Sequence, residues 1–439
     1  MPQSRELNQN SSRRWDHAVP STERRLKILI VRVRLLFPLN TGGKIRSARM
    51  IEELSQNHDV TLITCRYPED TDEDVQRTAE LCKNLVAVPY RETVKGSAAF
   101  YAELGKNLFS SLPYVVAKYA SRELARTVAA LYRTQRPDLV MCDFLQSCEC
   151  LKYLDGVPFV LFQHNVEAAL FEQMARQTAS PIKRAYLALQ AQRLRRYEQR
   201  ICKKASCVIA VSDNDREVFT QQYGAPYCEV VPTGVDTEFF VPSKNMRAAN
   251  NIVFTGSLDW LPNQDAMRYF VKEVLPLIQQ EVPNVAFSIV GRNPPPEIVA
   301  LGKQPGIHVT GTVNDIRPYV FGAKVYVAPL RIGSGTRLKL LEAMAMGKAI
   351  VSTTLGAEGL PVHHDQNIVL ADSAADFARE VTSLLRDGQR RRTLEAQARE
   401  LVERRYSWQQ VGQVFGAICQ RAAGKAGVRV QGSGVRDGP

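Results

Sequence analysis

Short unbroken apolar runs recur along the chain, and each gives way to a stretch with a different rhythm. Leu26–Val33 (LKILIVRV) is the first. Asp59–Thr64, Leu85–Pro89, Leu139–Phe144, Phe159–His164, Cys207–Val211 and Tyr227–Val231 follow. Val, Ile and Leu dominate these runs without alternating with polar residues, which is the pattern of strands covered on both faces. Between them apolar residues recur at helical spacing, over Ile45–Gln56, Asp72–Asn84, Ser97–Arg136 (broken at Pro113) and Pro181–Ala205. Ser212-x-x-Asp215 reads as a capping box opening a further helix. The rhythm restarts after the polar stretch Pro242–Asn250. Strands are then predicted at Ile252–Gly256, Val285–Val290, Ile307–Thr310, Val325–Ala328, Ala349–Ser352 and Ile368–Leu370, with helices such as Asn263–Glu281 between them. Tyr406-Ser407-Trp408 begins a last helix that runs to about Ala422. Strand and helix in alternation predict an α/β protein with parallel sheets. A chain of 439 residues is long for one core, so two domains are expected. The expected division is a disordered tail over 1–24, a first domain over 25–241, a linker over 242–250, a second domain over 251–406, a terminal helix over 407–423, and a Gly/Arg-rich disordered tail over 424–439.

Composition narrows this frame. A hydrophobic content of 45% and a charged content of 23% are ordinary for a globular protein. The net charge of +12 points to an anionic partner: nucleotide phosphates, an anionic membrane leaflet or nucleic acid. RNA-type aromatic motifs and a helix-turn-helix signal are absent, so nucleic acid is not expected. Nine cysteines show no zinc spacing and read as buried thiols, which fits a reducing cytoplasm. No apolar run reaches the ~18 residues of a membrane span. The segment Pro181–Ala205 carries Lys183, Arg184, Arg193, Arg195, Arg196, Arg200, Lys203 and Lys204 against the single acid Glu198. It reads either as a solvated face or as a peripheral dock for anionic lipid. Tyr101, Leu104, Leu108, Tyr114 and Tyr119 form an apolar set that reads as core, or as a lip for a lipid-linked acceptor.

The densest candidate chemistry lies in Ala328–Leu360 (APLRIGSGTRLKLLEAMAMGKAIVSTTLGAEGL), which reads as strand, Gly-rich turn, helix and strand. Gly333, Ser334 and Gly335 open the turn. Thr336 begins a helix with Leu338, Leu341 and Ala345 on one face, and Gly347 ends it. Such a turn brings backbone N–H groups and a helix N-terminus to an anion. Arg331, Arg337 and Lys339 add positive charge. Glu342 sits one turn further in, placed to accept hydrogen bonds from sugar or ribose hydroxyls. An ordinary βαβ crossover with a glycine turn also accounts for the spacing. Gly42 and Gly43 precede the first helix, but Ile45 stands where a P-loop needs Ser or Thr. The first strand lacks the G-x-G-x-x-G of a dehydrogenase. His164 ends a strand in the run HNVE, where polar residues of parallel sheets meet ligands. Glu167 reads as a cap for the next helix.

GSGTRLK…LEAMAMGK together with HNVE resembles the donor-binding signature of retaining glycosyltransferases of the GT-B fold, in the family-4 group of bacterial sugar transferases. The resemblance runs from Leu26 to Ala422 and includes the junction VVPTGVDTEFF. It departs at one place. The family usually carries two glutamates in this signature; the second is Glu342 here, and Ser334 stands for the first. The resemblance implies two Rossmann-like doubly wound domains facing a central cleft, with the nucleotide sugar on the second and the acceptor on the first. The terminal helix is implied to cross back to the first domain. Gly42 and Gly43 are implied to approach the donor phosphates, His164 to lie beside the sugar and the acceptor, and Arg292 and Val313 to border the base. Relatives place Arg and Lys just after the glycine equivalent to Gly256. Leu258, Asp259 and Trp260 follow here, so Arg331, Arg337 and Lys339 are assigned to the diphosphate, with Gly333, Ser334, Gly335 and Thr336 lining it.

The implied reaction moves a sugar from a UDP-, GDP- or ADP-sugar to a glycan or lipid-linked hydroxyl with retention of configuration. No cofactor and no metal are called for. The expected setting is bacterial cell-envelope or exopolysaccharide synthesis, in the cytoplasm or against the inner face of the plasma membrane. Rival readings are a sugar-nucleotide epimerase of the same fold and a non-catalytic sugar-nucleotide-binding subunit.

Overall fold

The computed structural model describes residues 24–154, 156–243, 249–333 and 337–432. Ser334, Gly335 and Thr336 lie outside the described residues, as do 1–23 of the expected N-terminal tail and 433–439 of the C-terminal one. The chain forms two compact units. Among described residues one takes in 24–232 with 412–432, and the other 233–411.

The first unit is built on a seven-stranded sheet of β1 (Lys27–Val31), β2 (Asp59–Arg66), β3 (Asn84–Pro89), β4 (Leu139–Asp143), β5 (Phe159–Phe162), β6 (Cys207–Ala210) and β7 (Cys228–Val230). Every pairing is parallel, in the order β3-β2-β1-β4-β5-β6-β7. The apolar runs found in the sequence form these strands because both faces are covered: all of β4, β5 and β6 is buried. Thr41 caps the helix Gly42–Asn57, and Ser180 caps the helix Pro181–Lys204, which has Pro at its first turn. The helical stretch expected over Ser97–Arg136 is three helices, Ala98–Asn107, Tyr114–Ala117 and Arg122–Gln135, with Pro113 just before the second and Ser121 capping the third.

The second unit holds a six-stranded parallel sheet of β8 (Ala249–Thr255), β9 (Ala286–Val290), β10 (Ile307–Val309), β11 (Ala323–Ala328), β12 (Ala349–Ser352) and β13 (Val369–Leu370). The order is β10-β9-β8-β11-β12-β13. Both sheets therefore reverse direction beside their first strand, between β1 and β4 and between β8 and β11. Helices splay apart at such a reversal and leave a crevice at the carboxyl ends of the strands.

Two boundaries differ from the sequence reading. Residues from Thr233 onward pack with the second unit: Val235 N–H donates to Tyr406 O at 2.7 Å, and Arg399 binds the carbonyls of Thr237 and Phe240. The helix predicted to stop near Ala422 spans Trp408–Gly432, so residues 424–432 of the expected tail are helical. From Gly412 on it packs against the first unit, with Phe415 at 4.8 Å from Phe162 and Gly412 against Glu53.

Candidate active site

In the second unit the reversal point lies between the ends of β8 and β11, and the Gly-rich turn follows β11. Gly333 has φ 102°, a region only glycine adopts freely, and a Cβ there would meet Pro262 at 2.9 Å. The helix Leu338–Ala345 then buries Leu340, Leu341, Ala343, Met344 and Ala345 against β11 and β12. That burial aims Lys339 at the end of β8, with Glu342 one turn further along the helix. Lys339 Nζ donates to Asn263 Oδ1 at 2.6 Å and lies 4.5 Å from the Phe254 ring. A Cβ added at Gly256 would lie 2.9 Å from the same nitrogen. Asn263 is itself fixed, its Nδ2 donating to Ser257 O at 2.7 Å. Burial, and then repulsion by Arg337, lowers the Lys339 pKa to about 7. Burial raises Glu342 to about 7, with Lys339 opposing the rise. An ammonium so stripped of water is poised to regain charge when an anion arrives.

The other two cations of this turn, Arg331 and Arg337, meet groups of the protein. The Arg331 guanidinium pairs with Asp265 at 2.9 Å and covers the Tyr269 ring at 4.3 Å. Arg337 turns inward, and its Nη2 donates to Leu355 O at 2.7 Å. The exposed Arg292 binds Ser257 Oγ at 2.8 Å, beside Gly256, while Val313 is half-buried against the core.

A second polar cluster occupies the reversal point of the first unit. Arg32 follows β1, Asp143 ends β4, and His164 lies just past β5. His164 Nε2 is 2.8 Å from Asp143 Oδ1, and Arg32 forms a buried ion pair with the other oxygen of Asp143. Arg32 also donates to Ser47 Oγ at 2.8 Å. Phe144 stacks on His164 at 3.9 Å. Gly43 makes room for that ring, since a Cβ there would sit 2.7 Å from Phe144 Cζ. Gly42 has open space around it. Behind the cluster, Glu198 accepts from Gln163 Nε2 and from the N–H groups of Glu167 and Ala168. It is Glu198, not the side chain of Glu167, that caps the helix Glu167–Gln177.

Residues 41–239 match the family model described as Glycosyltransferase Family 4, and residues 249–387 match that for Glycosyl transferases group 1. A Klebsiella pneumoniae protein, described as an uncharacterized 44.6 kDa protein in a cps region, is 23% identical over 81% of this chain and 90% of its own length. A phosphatidyl-myo-inositol mannosyltransferase of Mycolicibacterium smegmatis is 30% identical over 55% of this chain and 63% of its own. The fold is that of the Thermosynechococcus elongatus sucrose-phosphate synthase (TM-score 0.61, 19% identity, 91% of this chain and 100% of that one). It is equally that of Anabaena HepE in complex with UDP and glucose (TM-score 0.57, 14% identity, 90% and 99%). The chain belongs to the GT-B glycosyltransferases of the family-4 type.

In this glycosyltransferase the structure brings Lys339 to Gly256, with Glu342 further along the same helix and Arg292 bound to Ser257 beside Gly256. Arg331, expected at the diphosphate, is paired here with Asp265, which the helix Leu261–Tyr269 presents to the turn. His164, Gly42 and Gly43 gather separately in the first unit. Sequence reasoning missed Asn263, Arg32, Ser47 and the pairing of Asp143 with His164. Asp143 at a strand's carboxyl end was the one available signal. Among the described residues no group of His, Cys, Asp or Glu is placed to hold a metal ion, and no helix is long and apolar enough to cross a membrane.

Proposed function

We propose that this glycosyltransferase moves a sugar from a nucleotide-diphosphate sugar to a hydroxyl acceptor with retention of anomeric configuration, in bacterial cell-envelope or exopolysaccharide synthesis. The observation that carries the reading is the desolvated Lys339 ammonium held by Asn263 against Gly256, at the carboxyl end of β8 and with Glu342 one turn away. As the glycosidic bond breaks, negative charge grows on the leaving diphosphate. Lys339, already held in place by Asn263, stabilises it. Glu342 accepts from hydroxyls of the donor. The leaving oxygen takes the acceptor's proton on the same face, which retains the configuration. With the neutralising charge supplied by Lys339, turnover is expected to survive a metal chelator.

HepE is described in complex with UDP-glucose, which supports a donor of this class. A relative named for mannosyl transfer to phosphatidyl-myo-inositol supports a lipid-linked acceptor, and the Klebsiella relative in a cps region supports the envelope setting. The exposed surface agrees. Glu198 faces inward, so the outer side of the helix Pro181–Lys204 shows Lys183, Arg196, Arg200, Lys203 and Lys204 without an acid of its own. Ile182, Tyr101 and Phe109 are also exposed on this unit. Such a surface suits peripheral contact with an anionic leaflet.

The test is a panel of UDP-, GDP- and ADP-sugars offered with and without lipid-linked and glycan acceptors. The expected result is a donor that raises the melting temperature and releases nucleoside diphosphate only when an acceptor is present. Conversion of the donor to its epimer without acceptor would replace this reading with the epimerase. Binding without either reaction would leave a non-catalytic subunit.

A further inference from the structure

We propose that Asp143 is a positioning residue that fixes His164 as the Nε2–H tautomer, so that Nδ1 presents a lone pair to a hydroxyl of the bound substrate. This rests on the transferase reading above and assigns a role to a residue outside the donor turn.

The argument starts from donors and acceptors. Asp143 accepts from the Arg32 guanidinium and from His164 Nε2, and the Ser47 hydroxyl sits beside them, accepting from Arg32 and lying 3.4 Å from the same Nε2. Burial alone would raise its pKa. Arg32 and the bond from His164 hold it at about 2, so it is a carboxylate and only an acceptor. The nitrogen facing it at 2.8 Å must therefore carry the proton. A second proton is disfavoured, because the side chain is buried and the charges of Arg46 and Arg32 repel it. The pKa of His164 falls to about 4, burial being the largest cause. The imidazole is neutral at physiological pH, and Nδ1 is left with a lone pair. That atom is buried and has no hydrogen-bond partner among the described residues. Its ring cannot turn away easily, since Phe144 stacks on it at 15° between planes and Phe162 flanks it at 4.6 Å. A buried polar atom without a partner calls for explanation. An acceptor at the reversal point of a parallel sheet is matched by a hydroxyl, the group that sugars and their acceptors supply in number.

The network also dictates what Asp143→Asn does. Arg32 can only donate, so it takes the amide oxygen of the new side chain. The amide NH2 then faces His164 Nε2, which must give up its proton. The tautomer inverts, and Nδ1 becomes a buried N–H pointing where an acceptor belongs. The experiment is nitrogen-detected NMR on the full chain labelled with 15N-histidine. The chain has six histidines, and the His164 signals are the set lost in His164→Gln.

Wild-type protein should show Nε2 protonated and Nδ1 unprotonated from about pH 5.5 to 8, and Asp143→Asn should show the reverse. The variant should lose about 10- to 100-fold in kcat/KM, the range for a hydrogen bond replaced by a buried mismatch. A protonated Nδ1 in the wild type overturns the proposal, and so does an unchanged tautomer in the variant. An inverted tautomer with unchanged transfer overturns the hydroxyl contact. Should the variant not fold, the wild-type spectrum and its pH range still decide the assignment. The spectra do not depend on turnover, so a wild-type protein without transfer would count against the proposed function and not against the tautomer.

Discussion

Replacing Lys339 by methionine removes the charge while keeping an unbranched stem, and the structure sets opposite expectations for stability and activity. In the ligand-free protein the ammonium is disfavoured: burial, then Arg337, brings its pKa from 10.5 to about 7. That difference is worth roughly 5 kcal/mol against the charged form. The penalty is fully present below pH 7 and is relieved as pH rises from 7 toward 10.5, because there the unfolded chain binds the extra proton. Methionine removes the penalty but leaves Asn263 Oδ1 without its 2.6 Å partner, a loss of about 1–3 kcal/mol. The variant should therefore match or exceed the wild type in stability by up to a few kcal/mol at pH 6.5, with a melting temperature unchanged or higher. Activity should go the other way. A unit charge about 4 Å from a phosphate oxygen, at an effective dielectric near 20, contributes about 4 kcal/mol. Even half of that predicts a loss of about 30-fold in kcat/KM, and the whole about 1,000-fold. The assay pairs nucleoside diphosphate release with thermal unfolding of the same samples. Transfer within threefold of wild type would refute the diphosphate role. A melting temperature lower by more than ~5 °C would show that Lys339 is structural.

Glu342→Gln should lower kcat/KM about tenfold, the effect of exchanging a charged acceptor for a neutral one. Both limbs of the pH profile are also informative. With Lys339 and Glu342 each near 7, kcat/KM should peak close to pH 7, and the acidic limb should flatten in Glu342→Gln. Arg331→Ala should leave transfer within twofold and stability within about 1 kcal/mol, since its pair with Asp265 is half-exposed; a large loss of donor affinity would restore the role the sequence had assigned it. Burial raises Glu198 to about 8 and Glu167 to about 7. The native state then binds more protons than the unfolded chain, so stability should fall as pH rises from about 4.5 to 8. Glu198→Gln should flatten that slope in denaturant titrations, and an unchanged slope would place the titration elsewhere.

The strands were legible because a parallel sheet buried on both faces admits almost no polar residue. An apolar run such as LKILIV in the first half or NIVFT in the second has few other readings. The order of apolar runs and helices also implied two α/β units. Lys339 and Glu342 were legible for a local reason: once the helix of the Gly-rich turn is recognised, its spacing decides which residues point away from the core. What the sequence did not show is which partner each charge meets. Asn263 is 76 residues from Lys339, and Asp265 is 66 from Arg331. Of three cations in one turn, tertiary structure leaves Lys339 beside Gly256, turns Arg337 inward to Leu355 and ties Arg331 to an acid. Arg32, Asp143 and His164 sit on three different strand ends, and only the order β1-β4-β5 makes them neighbours. Local pattern decided the elements, because hydrophobic burial reads residue type at short range. The sites were decided by the sheet reversals, because hydrogen bonds and charge pairs act between segments that the chain itself keeps far apart.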